Sequence, residues 1–267
     1  MTAADLLQLG RIVPLPVHAP RVVERSIRVY RRSWMVFLTG LLEPFFYLTG
    51  IGFGVGSLVG AVHFGGRTLP YAVFVAPALM ASAAMNGAFY DSTFGLFFKL
   101  RVAHTFEAML ATPVGVMDIA AGEVLWALAR GAIYATAFLL VMLGFGLVGS
   151  PWAVLAVPGS VLIGFAFASL GCASTSFARN WQDFDVILLA QMPIFLFSAT
   201  FYPVTIYPGP IRILAELSPL TRGVDLLRGL TTGMLDPLMI LDAAYLAALG
   251  ILGIVITSRR LGRVLLT

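Results

Sequence analysis

The side chains able to transfer a proton, hold a metal or attack an electrophile are few in this chain and stand far apart. His18, His63 and His104 are its histidines, Lys99 its single lysine and Cys172 its single cysteine. No HExxH run and no paired-carboxylate spacing accompanies any histidine, so neither a metal site nor a metal-assisted hydrolase is expected. Lys99 is followed by Leu100 and lacks a preceding Gly-rich loop, which excludes a phosphate-cradling P-loop. The Gly52-Phe53-Gly54-Val55-Gly56 run lies in an apolar stretch, where glycines permit close helix packing. One cysteine forms no disulfide within the chain. No catalytic residue, no metal and no cofactor bound by this chain are expected.

The elements that must position what remains are membrane spans. Hydrophobic residues make up 59% of the 267 residues and charged residues only 11%. Between Gly131 and Ala178 the chain has no Asp, Glu, Lys, Arg or His, a length sufficient to cross a bilayer twice around the Gly149-Ser150-Pro151 break. Apolar segments are expected at Trp34–Val59, Tyr71–Phe98, Ile119–Val148, Trp152–Phe177, Val186–Val204 and Leu238–Thr257. The reading is an all-α integral membrane protein with six transmembrane helices. It divides into a tail and interfacial helix (residues 1–33), a transmembrane domain (34–257) and a C-terminal tail (258–267).

Charge orients the spans. Arg11, Arg21, Arg25, Arg28, Arg31, Arg32, Lys99, Arg101, Arg179, Arg259, Arg260 and Arg263 fall in one set of loops, and Arg67, Arg212, Arg222 and Arg228 in the other. The positive-inside rule then puts both termini in the cytoplasm, and the net charge of +4 points to anionic lipid headgroups, with no nucleic-acid partner. The N-terminal segment is expected to remain uncleaved. Before the first span, Val23, Ile27, Tyr30 and Trp34 alternate with Arg21, Arg25, Arg28 and Arg32 at helical spacing. That pattern predicts an amphipathic helix in the cytoplasmic interface, as an anchor or as a mechanical part.

Two charges fall inside the spans. Counted at about 1.5 Å per residue from the cytoplasmic side, Glu43 and Arg130 lie at a similar depth of about 15 Å, which predicts an ion pair between spans one and three. It serves as a brace or as a contact for a polar group of the substrate. Asp91 and Glu123, nearer the cytoplasmic ends, face water or one another's helices.

Two loops carry further pattern. Phe106, Met109 and Leu110 form an apolar stripe on a short helix that Thr112-Pro113 ends. The stripe needs cover, from a partner protein or from the membrane surface. After span five, Ile211, Leu214 and Leu217, then Val224, Leu226, Leu227 and Leu230, predict two short amphipathic helices joined near Pro219, dipping against the outer leaflet.

At these segments the chain resembles the type-2 ATP-binding-cassette exporter permeases, and more narrowly the nodulation protein J subfamily of lipooligosaccharide exporters and their actinobacterial drug-efflux relatives. The stretches that carry the likeness include Arg31-Arg32-Ser33-Trp34, Leu42-Glu43-Pro44, Ala84-Met85-Asn86-Gly87-Ala88, Leu110-Ala111-Thr112-Pro113-Val114, Trp181-Gln182-Asp183-Phe184, Phe197-Ser198-Ala199-Thr200-Phe201-Tyr202-Pro203 and Ser218-Pro219-Leu220. The resemblance implies two permeases side by side in a bacterial plasma membrane. Beneath them it implies separate ABC ATPase subunits holding ATP and magnesium, with this chain itself non-catalytic. It also implies a coupling helix carrying Thr105, Phe106, Glu107, Met109, Leu110, Thr112 and Pro113, and external re-entrant helices over Thr205–Gly229. Ala199 departs from the glycine common in such permeases.

Aromatic residues in the spans either pack or line a path for an amphipathic or hydrophobic cargo, a lipid-linked oligosaccharide, lipid or drug. The candidates are Phe45, Phe46, Phe89, Phe195, Phe197, Phe201 and Tyr202. An intramembrane lipid-modifying enzyme and a secondary transporter are the alternative readings.

Overall fold

The computed structural model describes residues 17–32, 42, 45–103, 105–178 and 180–265. Among the described residues, four helices are long and apolar enough to cross a membrane: α3 (Tyr71–Leu100), α5 (Val116–Gly144), α6 (Pro151–Thr175) and α10, whose apolar part is Leu238–Arg260. They match the second, third, fourth and sixth expected segments to within a few residues. Helix α10 runs on to Leu265, so most of the expected C-terminal tail continues the last span. Before α3 come α1 (Ala19–Arg32) and the apolar α2 (Phe45–Val59). Most of residues 33–44, and with them Glu43, lie outside the described residues.

Helix α6 is the centre of the bundle, packed against α3, α5, α10 and the shorter α9 (Pro219–Thr232). Small residues allow this: a Cβ on Gly253 of α10 would lie 2.6 Å from the backbone of Ser169, so the two helices meet at a distance only glycine permits. One apolar cluster joins α3, α5, α6 and α9 around Leu79, Phe138, Ile163 and Leu227. A second closes the end that carries α1 and the six-residue helix α4 (Thr105–Leu110).

The described residues are mostly helical, as the all-α reading expects, with one addition that it did not include. Between α2 and α3 the chain forms an antiparallel hairpin, β1 (Ala61–Phe64) with β2 (Arg67–Pro70), in register Phe64 opposite Arg67. The two turn residues, Gly65 and Gly66, have φ of 54° and 74°, as a two-residue hairpin turn demands.

The fifth expected span is shorter than read. Helix α7 covers Asp183–Leu196, 14 residues, or about 21 Å against a hydrocarbon core of about 30 Å. Pro193 removes a helical donor near its end, and Ala199 turns the chain with φ 55°. The chain then returns through α8 (Gly209–Leu217) into α9, in agreement with two short helices meeting at Ser218-Pro219.

Helix α3 is irregular in its lower half, with wide π-type turns at Asp91–Gly95 and Phe98–Val102. Ser92 Oγ and Thr93 Oγ1 donate to Phe89 O at 3.0 and 2.7 Å, and Thr175 Oγ1 of α6 donates to Ser92 O at 3.3 Å. These hydroxyls satisfy carbonyls that a wide turn serves poorly.

Candidate functional site

Two charge pairs tie α3 to α5. Arg130 meets Asp91, and Lys99 Nζ lies 2.5 Å from Glu123 Oε2. Asp91 and Lys99 stand eight residues apart on α3, Glu123 and Arg130 seven apart on α5, with the acid first on each helix. Antiparallel helices bring such sequences into register at one setting only, because a two-turn slide would oppose like charges. Asp91 and Glu123 therefore face one another's helices, the second of the two expectations for them. Arg130 is paired across spans two and three; the expected partner Glu43 lies outside the described residues.

Arg130 also gathers aromatic rings. Its guanidinium lies 5.5 Å from the Tyr30 ring centre and 5.8 Å from that of Tyr134, and Nη1 is 3.5 Å from Tyr30 Oη. Tyr30 belongs to α1 and packs on Trp126 at 5.0 Å. Beside the pair a narrow cavity of about 70 Å³ runs between α3 and α5, lined in part by Ala84, Gly87, Gly131 and Tyr134.

Helix α1 is clamped to the start of α5. Asp118 accepts from the backbone N–H of His18 at 2.7 Å and of Gly115 at 2.8 Å, so a single carboxylate serves the first turn of both helices. A Cβ on Gly122 would lie 2.5 Å from Val22 Cβ, which is why α1 lies so close. The buried face of α1 is Ala19, Val22 and Ser26, while Ile27 of the expected apolar stripe is exposed.

Helix α4 corrects the reading of its stripe. Phe106 is wholly buried and Met109 nearly so, covered by Val22, Leu96, Leu100 and Ile119 of the same chain, with Leu110 packed at the edge. No partner is needed to cover them. Exposed instead are Glu107, Ala108, Ala111, Thr112 and Pro113, with Thr105 half-buried. Thr112 Oγ1 donates to Met109 O at 2.6 Å and closes the turn before Pro113. A groove lined by Arg21, Arg25, Thr105, Ala108 and Thr112 separates α4 from α1.

The aromatic candidates divide into three groups. Phe89 is buried in the core. Phe45 and Phe46 are exposed on α2, with Phe45 against Phe145. Phe195, Phe197, Phe201 and Tyr202 gather at the end of α7: Phe195 packs edge-on to Phe201 at 5.6 Å, and Tyr207 stands 5.8 Å from Phe197 and 5.2 Å from Tyr202. Tyr207 Oη donates to Tyr202 Oη at 3.0 Å, and burial with this bond pushes the Tyr207 phenol above its ordinary value. Below them, Gln191 donates to Asn86 Oδ1 at 2.9 Å beside an open groove along α7. The opposite end of α7 is seated by Phe94, Phe97, Trp181 and Phe184.

Arg228, counted with the basic residues of the second set of loops and expected on an amphipathic helix, is wholly buried. Its Nε donates to Phe74 O at 3.2 Å and its Nη2 to Ala199 O at 3.1 Å, with the Phe74 ring centre 3.9 Å away. Charge counting treated it as one more loop cation; its helical spacing from Val224 and Leu227 was the sequence signal that it faces inward.

The ABC-2 type transporter family profile matches residues 21–231. Nodulation protein J of Sinorhizobium fredii is 32% identical over 211 residues, covering 76% of this chain and 79% of its own length. Nodulation protein J of Rhizobium leguminosarum bv. trifolii is 32% identical, covering 79% and 80% respectively. The inner membrane transport permease YadH of Escherichia coli is 25% identical, covering 88% of each chain. With most of its length inside the family profile, from α1 to α9, this chain belongs to the ABC-2 type transporters.

Proposed function

We propose that this chain is the membrane subunit of an ATP-driven exporter, working as a pair of permeases over ABC ATPase subunits that hold ATP and magnesium. Both termini and α4 face the cytoplasm of a bacterial plasma membrane, and the hairpin, α8 and α9 lie outside. With α2 as the described part of span one, and α7 taken with its return segment, the chain crosses or enters the membrane six times. The cargo is an amphiphile of the lipooligosaccharide, lipid or hydrophobic drug class, a reading supported by the nodulation protein J relatives and by the aromatic end of α7.

The observation that carries the proposal is the mounting of α4. Its apolar face is anchored in the bundle and its other face is presented, so a push on Glu107, Ala108 and Ala111 is transmitted into α3 and α5 without loss in a flexible loop. The α7 face offers the second surface: Leu189 and Met192 are each 69% exposed around the Gln191–Asn86 bond, the place where a second permease fits.

The test is purification of the complex from native membranes through a tag on this chain. An ATPase is expected to co-elute from the unaltered protein and to be lost from the Glu107→Arg, Ala111→Asp double variant, with the permease yield preserved because both positions are exposed. Co-elution undiminished in the variant, or no ATPase with the unaltered chain, refutes the reading.

A further inference from the structure

Helix α7 ends in the turn Ser198-Ala199-Thr200, which is buried and irregular at once. Ala199 sits at φ 55°, a region that costs a residue with a Cβ about 1 kcal/mol or more and persists only where its surroundings enforce it. Its carbonyl is held by Arg228 Nη2, from α9. The same guanidinium holds Phe74 O of α3 through Nε, near the turn that Pro77 leaves short of one helical donor. A single side chain thus joins three elements by their backbone carbonyls. A second, weaker contact joins Thr200 Oγ1 to Ser82 Oγ of α3 at 3.4 Å.

Burying a guanidinium whose carboxylate neighbour makes no hydrogen bond with it is expensive, and an apolar side chain of equal volume often serves the fold as well or better. Its third nitrogen, Nη1, makes no hydrogen bond and stands 3.6 Å from Asp225. The arrangement therefore has a spare donor and an acidic neighbour to which the guanidinium can turn when the Ala199 carbonyl is withdrawn. Backbone carbonyls make a tie that can be released and remade without a change in protonation.

We infer that Arg228 is the positioning residue at the outer end of the transport path, through which α9 holds the exit turn of α7 closed against α3. The word "outer" and the link to nucleotide rest on the proposed function; the tie between the three elements does not.

The test places a reporter thiol in the turn. In a Cys172→Ala background, Thr200→Cys is labelled with a membrane-impermeant maleimide in the native complex. Labelling is expected to be slow with Arg228 present and about tenfold faster in Arg228→Met, the factor of one charge-assisted hydrogen bond. Arg228→Lys, able to reach one carbonyl, should fall between. With Arg228 present the rate should change between ATP with vanadate and no nucleotide, and in Arg228→Met that dependence should be lost, which a packing defect alone would not produce. If Arg228→Met does not accumulate, Ala199→Val is read instead; it keeps the arginine but cannot hold a positive φ, and must also speed labelling. Equal rates with and without the guanidinium, or an unchanged rate in Ala199→Val when that is the readable variant, overturn the inference. If instead the arginine dependence appears but nucleotide changes nothing in any form, the tie stands and the exporter reading fails.

Discussion

A charge among apolar helices is tolerated where it is matched, and Arg130 is matched by Asp91 and by the faces of Tyr30 and Tyr134. Removing either ion leaves the other buried, so Asp91→Asn or Arg130→Gln should each destabilise the protein by about 3 kcal/mol, read as thermal unfolding in detergent. The exchange Asp91→Arg with Arg130→Asp should recover much of the loss. At Gly122 steric contact decides: Gly122→Ala presses on Val22 Cβ and should cost about 1–3 kcal/mol, and Val22→Ala, which keeps that Cβ, should not restore it in the double variant. Ala199→Gly relieves the left-handed strain and should raise the melting temperature slightly, a change of about 1 kcal/mol. The expense of Arg130 in a span was readable from its type alone. Its partner was not, because depth counted from a guessed starting residue does not resolve which of two carboxylates shares its level.

Among the elements, α4 shows why periodicity points to a buried face without naming what buries it. The i, i+3, i+4 pattern of Phe106, Met109 and Leu110 is correct, but the receiving surface is assembled from the flanking ends of α3 and α5 together with Val22 of α1, which is far away in sequence. Phe106→Ala should accordingly unfold the permease more readily by about 3 kcal/mol or more even when no ATPase is present. Measured beside the exposed-face variant of the proposed function, it separates anchoring from docking. Long uncharged runs made α3, α5, α6 and α10 legible. The short α7 was not, since its ending depends on the conformation of Ala199 and on a guanidinium 29 residues further on. The hairpin was signalled by Gly65-Gly66, overshadowed by strands of four residues.

At the scale of the molecule, the described residues leave one side of α7 uncovered: of its residues only Phe184 is buried. A lipid-facing helix tolerates apolar exposure, but the Gln191–Asn86 bond on this side is better sheltered by protein. Met192→Arg should therefore convert a dimeric complex to single permeases in native mass spectrometry while leaving the fold of each intact, the residue being exposed in the isolated chain. Family membership was legible from local stretches spread along the sequence, and the profile match over residues 21–231 agrees with them.

The wide turns of α3 have a practical corollary. Each accommodates about one residue more than an ordinary turn, so side chains beyond Tyr90 are rotated by roughly 100° per inserted residue from where a uniform helical wheel would draw them. Scanning mutagenesis or spin labelling of this span will look aperiodic if plotted on one wheel, and will resolve into two clean faces once the phase is reset below Asp91.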